Sequence, residues 1–118
     1  TSMGSDDIKS IGLNNEPGNV VQNLANLAHS CGLDGVVCSA LESRQLRKEI
    51  GDNFCLVTPG IRPIDATTDD QSRITTPQMA IQNGADYLVI GRPISQAEDP
   101  LLMLQHLNKE IEKQLVVN

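Results

Sequence analysis

Three short, continuous runs of apolar residues divide the chain, and each of them is followed by small residues, a glycine or a proline. The runs cover residues 35–38, 54–57 and 87–90. None of them alternates apolar with polar positions, as a strand with one solvated face does. Continuous apolar runs are typical of parallel strands that are covered on both faces. The pattern therefore predicts three buried parallel strands.

Helical patterns lie before, between and after these runs. The first has Pro17 in its opening turn and ends at Gly32, and its apolar positions are Val20, Val21, Leu24, Leu27, Ala28 and Cys31. Further helices are predicted over residues 41–50, over residues 77–83 after the N-cap Thr76, and from residue 100 onward. In the last helix, one apolar stripe is formed by Leu101, Leu104, Leu107, Ile111 and Leu115.

Repeated strand-then-helix units predict an α/β fold with a parallel sheet, either part of a doubly wound sheet or a segment of a barrel. Three strands alone would leave two unpaired edges, so we expect other strands to complete the sheet. A complete (β/α)8 barrel has about 250 residues, whereas this chain has 118. No linker is visible, so residues 1–118 are interpreted as one domain or part of one, and this length allows half of a barrel.

Composition and charge limit the classes of binding partner that the sequence allows. The formal charge is −6, with the acidic residues scattered rather than gathered in a block, which argues against a nucleic-acid surface because phosphate backbones require clustered lysine and arginine. No apolar run approaches the roughly 20 residues of a membrane span, and no signal peptide is recognisable, so we expect a cytoplasmic protein that does not enter the membrane. The cysteines lack metal-binding spacing, and we expect no metal site and buried free thiols at Cys31, Cys38 and Cys55.

In parallel α/β folds, ligands bind at the C-terminal ends of the strands. These ends carry Ser39, residues 58–63 and residues 91–93. Arg62 and Arg92 each lie near a glycine there, and a guanidinium beside exposed backbone amides suits a phosphate group. The sequence therefore predicts a phosphate site shared by the last two strands, although either arginine could instead form a surface salt bridge.

The segment 65–73 is long and polar for a connection between a strand and a helix. It is interpreted either as a lid over the ligand, with Gln71 as a neutral hydrogen-bonding residue, or as a solvated loop. Signature motifs of dinucleotide, ATP, zinc-protease and α/β-hydrolase sites are absent from the sequence. A phosphorylated small molecule remains the favoured ligand.

Four motifs resemble the bacterial orotidine 5'-phosphate decarboxylase family, in the same order and at similar separations. They are residues 32–39 (GLDGVVCS), 56–63 (LVTPGIRP), 69–73 (DDQSR) and 87–94 (YLVIGRPI). The resemblance extends over nearly the whole chain. It implies that residues 1–118 are the C-terminal half of a single TIM (β/α)8 barrel domain, from the end of strand 5 through strand 8 with their helices.

The resemblance also implies an activity and a set of contacts. Enzymes of this family convert orotidine 5'-phosphate to UMP and carbon dioxide in pyrimidine biosynthesis, without a metal or organic cofactor and as homodimers. By resemblance, Arg62, Gln71, Gly91 and Arg92 bind the substrate phosphate. Thr1, at the end of the fifth strand, binds the base or ribose.

The chain departs from the family at the catalytic residues. The family's lysine and aspartates belong to the first half of the barrel, and no matching Asp-x-Lys-x-x-Asp run occurs here. We therefore expect no catalytic residue in this segment, no activity of the segment alone, and a requirement for the N-terminal half of the barrel. Two alternatives stay open: another phosphosugar decarboxylase or synthase of the same superfamily, and a non-catalytic phosphate-binding half-barrel.

Overall fold

The computed structural model describes residues 3–14, 16–63 and 75–117. In chain order its elements are α1 (Ser5–Ser10), α2 (Pro17–Ser30), β1 (Gly35–Val37), α3 (Ala40–Ile50), β2 (Cys55–Thr58), α4 (Pro77–Gln82), β3 (Tyr87–Leu88), α5 (Arg92–Ser95) and α6 (Pro100–Val117). No helix in this described part is long and apolar enough to cross a membrane.

The three strands form one parallel sheet in the order β1-β2-β3. Gly35 pairs with Cys55 at the start of β1, and Thr58 pairs with Leu88 at the end of β2. The predicted strands and their parallel arrangement are confirmed. β3 is shorter than its apolar run, since only Tyr87 and Leu88 are in strand conformation.

Among the described residues, helices cover one face of the sheet and leave the other bare. Alternate residues of each strand pack against helices in two buried clusters, which contain Val36, Cys38, Leu56, Leu88 and Ile90. The intervening residues lie on the opposite face, where Val37 is 67% exposed, Tyr87 65% and Val89 51%. Within the described residues, this sheet therefore has a bare apolar face and two open edges.

Two short helices and the exposure of several apolar residues differ from the sequence prediction. α1 and α5 were not predicted, since six and four residues are too few to establish a helical period. Cys31 is exposed, so the expectation of a buried thiol was wrong for this residue. The α6 stripe is only partly buried: Leu107 is fully covered, whereas other stripe residues line an open groove of about 340 Å³ beside β3.

At the N-terminal ends of the strands, one arginine ties three chain segments together. The Arg47 side chain, on α3, uses all of its N–H donors. Its partners are the carbonyl oxygens of Gly84 (3.2 Å from Nε and 2.7 Å from Nη2), Gly51 (2.9 Å) and Phe54 (2.7 Å), and Oδ2 of Asp86 (2.6 Å). Asp86 therefore has a structural role at this end of the sheet.

Arg47→Lys should lower the free energy of unfolding by about 2 to 4 kcal/mol, because an ammonium group cannot reproduce the forked geometry and leaves half-buried carbonyl groups without donors. Unfolding of the variant by a chemical denaturant measures this loss of free energy. Arg44→Lys is the matched control, since Arg44 lies on the same helix with an exposed side chain. We expect that control to change the free energy of unfolding by less than about 0.5 kcal/mol, and equal effects of the two variants would contradict the assigned role of Arg47.

Candidate functional site

The chain segments that follow β2 and β3 leave the same end of the sheet side by side. This arrangement follows from the parallel pairing of Val57 with Tyr87 and of Thr58 with Leu88. Beyond the paired residues, the amide of Val89 donates to the carbonyl oxygen of Thr58 over 2.9 Å. The two predicted arginine-bearing segments therefore start from adjacent, hydrogen-bonded positions.

The backbone around Arg62 is held firmly. Ile61 is 2% exposed and forms a parallel bridge with Thr75, and the amide of Arg62 donates to the Thr75 carbonyl oxygen over 3.0 Å. Gly60, which directly precedes this bridge, has a φ of 74°, a left-handed conformation that favours glycine. The Arg62 side chain is half-buried. The guanidinium group of Arg62 thus extends from a backbone that is hydrogen-bonded to Thr75.

Gly91 and Arg92 form the start of α5. Gly91 is the N-cap residue, and its carbonyl oxygen accepts the amides of Ile94 (3.0 Å) and Ser95 (3.1 Å). A Cβ atom at Gly91 would meet no described atom within 4 Å. The space above this backbone is therefore open, and the Arg92 side chain beside it is exposed.

Neither arginine is neutralised by a neighbour in the described part of the chain. Within residues 3–14, 16–63 and 75–117, the ion pairs join Arg47 to Asp86 and His106 to Glu110, and neither involves Arg62 or Arg92. The alternative interpretation, a surface salt bridge for either arginine, therefore finds no partner among these residues. Within the described ranges, the two arginines that follow neighbouring strands therefore lack an acidic partner.

Other sequence predictions for the site have different outcomes. Thr1, Gln71 and the rest of the segment 65–73 lie outside the described residues. Ser39 is the N-cap of α3, where its amide donates to Glu42 Oε2 over 3.1 Å. Among the described residues, no group of His, Cys, Asp and Glu side chains is arranged to hold a metal ion.

A buried polar cluster that was not predicted from the sequence lies below this end of the sheet. It consists of Cys38, Ser43 and Thr58, which we call the hydroxyl-thiol cluster. A signal was present in the sequence, because Ser43 interrupts the buried face of α3 between Ala40 and Leu46. A polar residue at a core position needs hydrogen-bond partners, and that requirement points to a specific role.

Comparison with known proteins identifies the family. The model of the orotidine 5'-phosphate decarboxylase / HUMPS family matches residues 1–106. The chain belongs to this family. The orotidine 5'-phosphate decarboxylase of Nitrosospira multiformis is 62% identical over 112 residues, which are 95% of this chain and 47% of that protein. That of Nitrosomonas eutropha is 58% identical over 111 residues, or 94% of this chain and 48% of that protein.

The family fold accounts for the bare face and open edges of the sheet. The crystal structure of orotidine 5'-phosphate decarboxylase from Lactobacillus acidophilus superimposes with a TM-score of 0.78 at 37% identity, over 94% of this chain and 46% of that one. The chain spans about half the length of the relatives that it matches. The prediction of half a (β/α)8 barrel is therefore confirmed, as is the family resemblance.

Proposed function

We propose that this chain forms the phosphate-binding half of the active site of an orotidine 5'-phosphate decarboxylase. The observation that carries the proposal is the pair of arginines without acidic partners among the described residues, after adjacent strands of a family member. Relatives that match nearly the whole chain bear the name of this enzyme. Their names favour it over the other phosphosugar enzymes of the superfamily.

The proposed contacts on the substrate phosphate come from Arg62, Gln71, Gly91 and Arg92. Arg92 lies beside the open backbone of Gly91, so its guanidinium group and the adjacent amides can approach the same dianion. The second cation is the guanidinium group of Arg62, which follows the neighbouring strand. The backbone of Arg62 is hydrogen-bonded to Thr75. Thr1 is proposed to bind the base or ribose.

In the proposed reaction, the bond between C6 of the pyrimidine and the carboxylate carbon breaks. The electron pair remains on C6, carbon dioxide leaves, and a proton is delivered to C6 to give UMP. The resemblance assigns the proton donor to a lysine in the other half of the barrel. The residues of this chain hold the phosphate and orient the base, so that binding energy from a remote group lowers the barrier at C6.

The test uses a barrel in which this chain replaces the matching half of the Nitrosospira multiformis relative, called here the grafted barrel. Its decarboxylation of orotidine 5'-phosphate is followed by the change in ultraviolet absorbance. We expect turnover by the grafted barrel and none by the isolated chain, which lacks the lysine. Circular dichroism and size-exclusion chromatography establish that the grafted barrel is folded.

The outcomes separate the candidate functions. A folded grafted barrel that binds neither UMP nor orotidine 5'-phosphate would contradict the proposal. Binding of UMP without turnover would favour a non-catalytic phosphate-binding role for this chain. Turnover of a different phosphosugar, with none of orotidine 5'-phosphate, would assign the chain to another activity of the superfamily.

The assembly and location of the whole protein are also proposed from the family. We propose a homodimer of barrels in the cytoplasm, with no membrane or nucleic-acid partner. The acidic formal charge of −6 supports the last point, because nucleic-acid surfaces are strongly basic. The molecular mass of the grafted barrel in solution tests the dimer.

A further inference from the structure

The hydroxyl-thiol cluster lies between α3 and the C-terminal ends of β1 and β2, and no role in the proposed function accounts for it. Ser43 and Thr58 are each 0% exposed and Cys38 is 2% exposed. Ser43 Oγ is 3.4 Å from Thr58 Oγ1 and 3.5 Å from Cys38 Sγ. Three fully buried polar groups thus meet at one hydroxyl oxygen.

The direction of each hydrogen bond in the cluster follows from the donors available. A serine hydroxyl has one hydrogen and two lone pairs. The hydrogen of Ser43 is donated to the carbonyl oxygen of Ser39 over 3.0 Å. The Thr58 hydroxyl and the Cys38 thiol must therefore both donate to Ser43 Oγ.

The protonation state of Cys38 agrees with this assignment. Burial raises the pKa of the Cys38 thiol above its ordinary value, and this desolvation outweighs the opposing influence of the nearby Ser43 and Thr58 hydroxyl groups. The thiol therefore keeps its hydrogen at neutral pH. Ser43 Oγ then has both of its lone pairs occupied, and no donor of the cluster is left unsatisfied.

Thr58 connects the cluster to the arginine-bearing segments. It is the last residue of β2, and Arg62 follows it by a short connection whose far end is fixed at Thr75. The Thr58 carbonyl oxygen also accepts the amide of Val89, just before Gly91. A shift of Thr58 would therefore move the starting points of both segments.

We propose that Ser43 is a positioning residue for phosphate binding, acting through Thr58 to fix the ends of β2 and β3 from which Arg62 and Arg92 extend. The inference rests on the proposed function. Ser43 does not touch the substrate in this scheme. It determines the separation and orientation of the two guanidinium groups, which have to match one dianion.

The experiment compares the dissociation constants of UMP and uridine for the grafted barrel, because the two ligands differ only in the phosphate. Ser43→Ala removes the acceptor that Thr58 and Cys38 share. We expect roughly tenfold weaker binding of UMP, because the two guanidinium groups would be slightly displaced from the positions that match one dianion, and unchanged binding of uridine. A purely structural role would lower the melting temperature without changing the ratio of the two constants.

A double-mutant cycle tests whether Ser43 acts through Thr58. Thr58→Val keeps the shape of the side chain and removes the hydroxyl. We expect it to weaken UMP binding to a similar extent, and the combination Ser43→Ala with Thr58→Val to add little beyond either single change. If Ser43→Ala does not fold, the isosteric Thr58→Val alone carries the test.

The matched control is Arg47→Lys, which destabilises the same helix at the opposite end of the sheet. Its ratio of UMP to uridine dissociation constants should equal that of the unmodified grafted barrel. An unchanged ratio in Ser43→Ala and Thr58→Val, with UMP still bound by the unmodified barrel, overturns the inference and leaves the proposed function intact. Failure of the unmodified, folded barrel to bind UMP overturns both.

Discussion

Replacing Arg92 by alanine in the grafted barrel is expected to lower kcat/KM for orotidine 5'-phosphate by at least about a hundredfold, equivalent to about 2.7 kcal/mol. The physical reason is the loss of a cation that has no acidic partner among the described residues and lies beside the open backbone of Gly91. Charge-assisted hydrogen bonds to phosphate are among the strongest that a protein makes. Steady-state kinetics measure the effect.

The division of this loss between kcat and KM is informative. If the phosphate contacts lower the barrier at the base, kcat falls as well as affinity, because remote binding energy contributes to the transition state. Arg44→Ala, an exposed arginine on α3, is the control for the removal of one positive charge. A change of less than threefold in Arg92→Ala would contradict the proposed contact.

Gly35→Ala is expected to lower the free energy of unfolding by at least about 3 kcal/mol, at the upper end of the usual cost of overpacking. A Cβ atom at Gly35 would lie 2.1 Å from the carbonyl oxygen of Cys55 and 2.6 Å from its Cβ atom. Gly35 and Cys55 are paired residues of β1 and β2, so the clash is with the backbone of the adjacent strand. The two strands would have to separate locally.

Chemical unfolding of the grafted barrel measures this loss. Gly18→Ala is the matched control, because Gly18 is in the first turn of α2 and a Cβ atom there meets nothing within 4 Å. The control should be neutral or stabilising by up to about 1 kcal/mol, since alanine is the better helix former. Similar unfolding midpoints for the two variants would show that the strands adapt to the added methyl group.

Much of the fold could be predicted because the local signals agree with one another. Residues typical of helix ends lie where the structure has them. Helices start at Pro17 and, after the N-cap Thr76, at Pro77, and α3 ends at the C-cap Gly51. The continuous apolar runs correctly indicated parallel strands. The covered and bare faces could not be told apart, because both carry apolar residues in a barrel whose other half lies outside this chain.

The positions of the candidate site residues were predictable where they depend on sequence motifs and unpredictable where they depend on tertiary contacts. Arg62 and Arg92 could be placed at strand ends from the glycines and prolines around them. Ser43 and Arg47 gave weaker signals, because both belong to a helix that is otherwise charged. Their partners come from distant segments, such as Thr58 for Ser43 and Gly84 for Arg47.

The strand order β1-β2-β3 also bears on the order of folding. Each strand pairs with the next strand in the sequence, and the helices that connect them cover the same face. Such contacts have low contact order, and the chain entropy lost in forming them is small compared with that of joining the first and last strands of a barrel. The helix-covered sheet is therefore suited to form early, as a nucleus onto which more distant strands close.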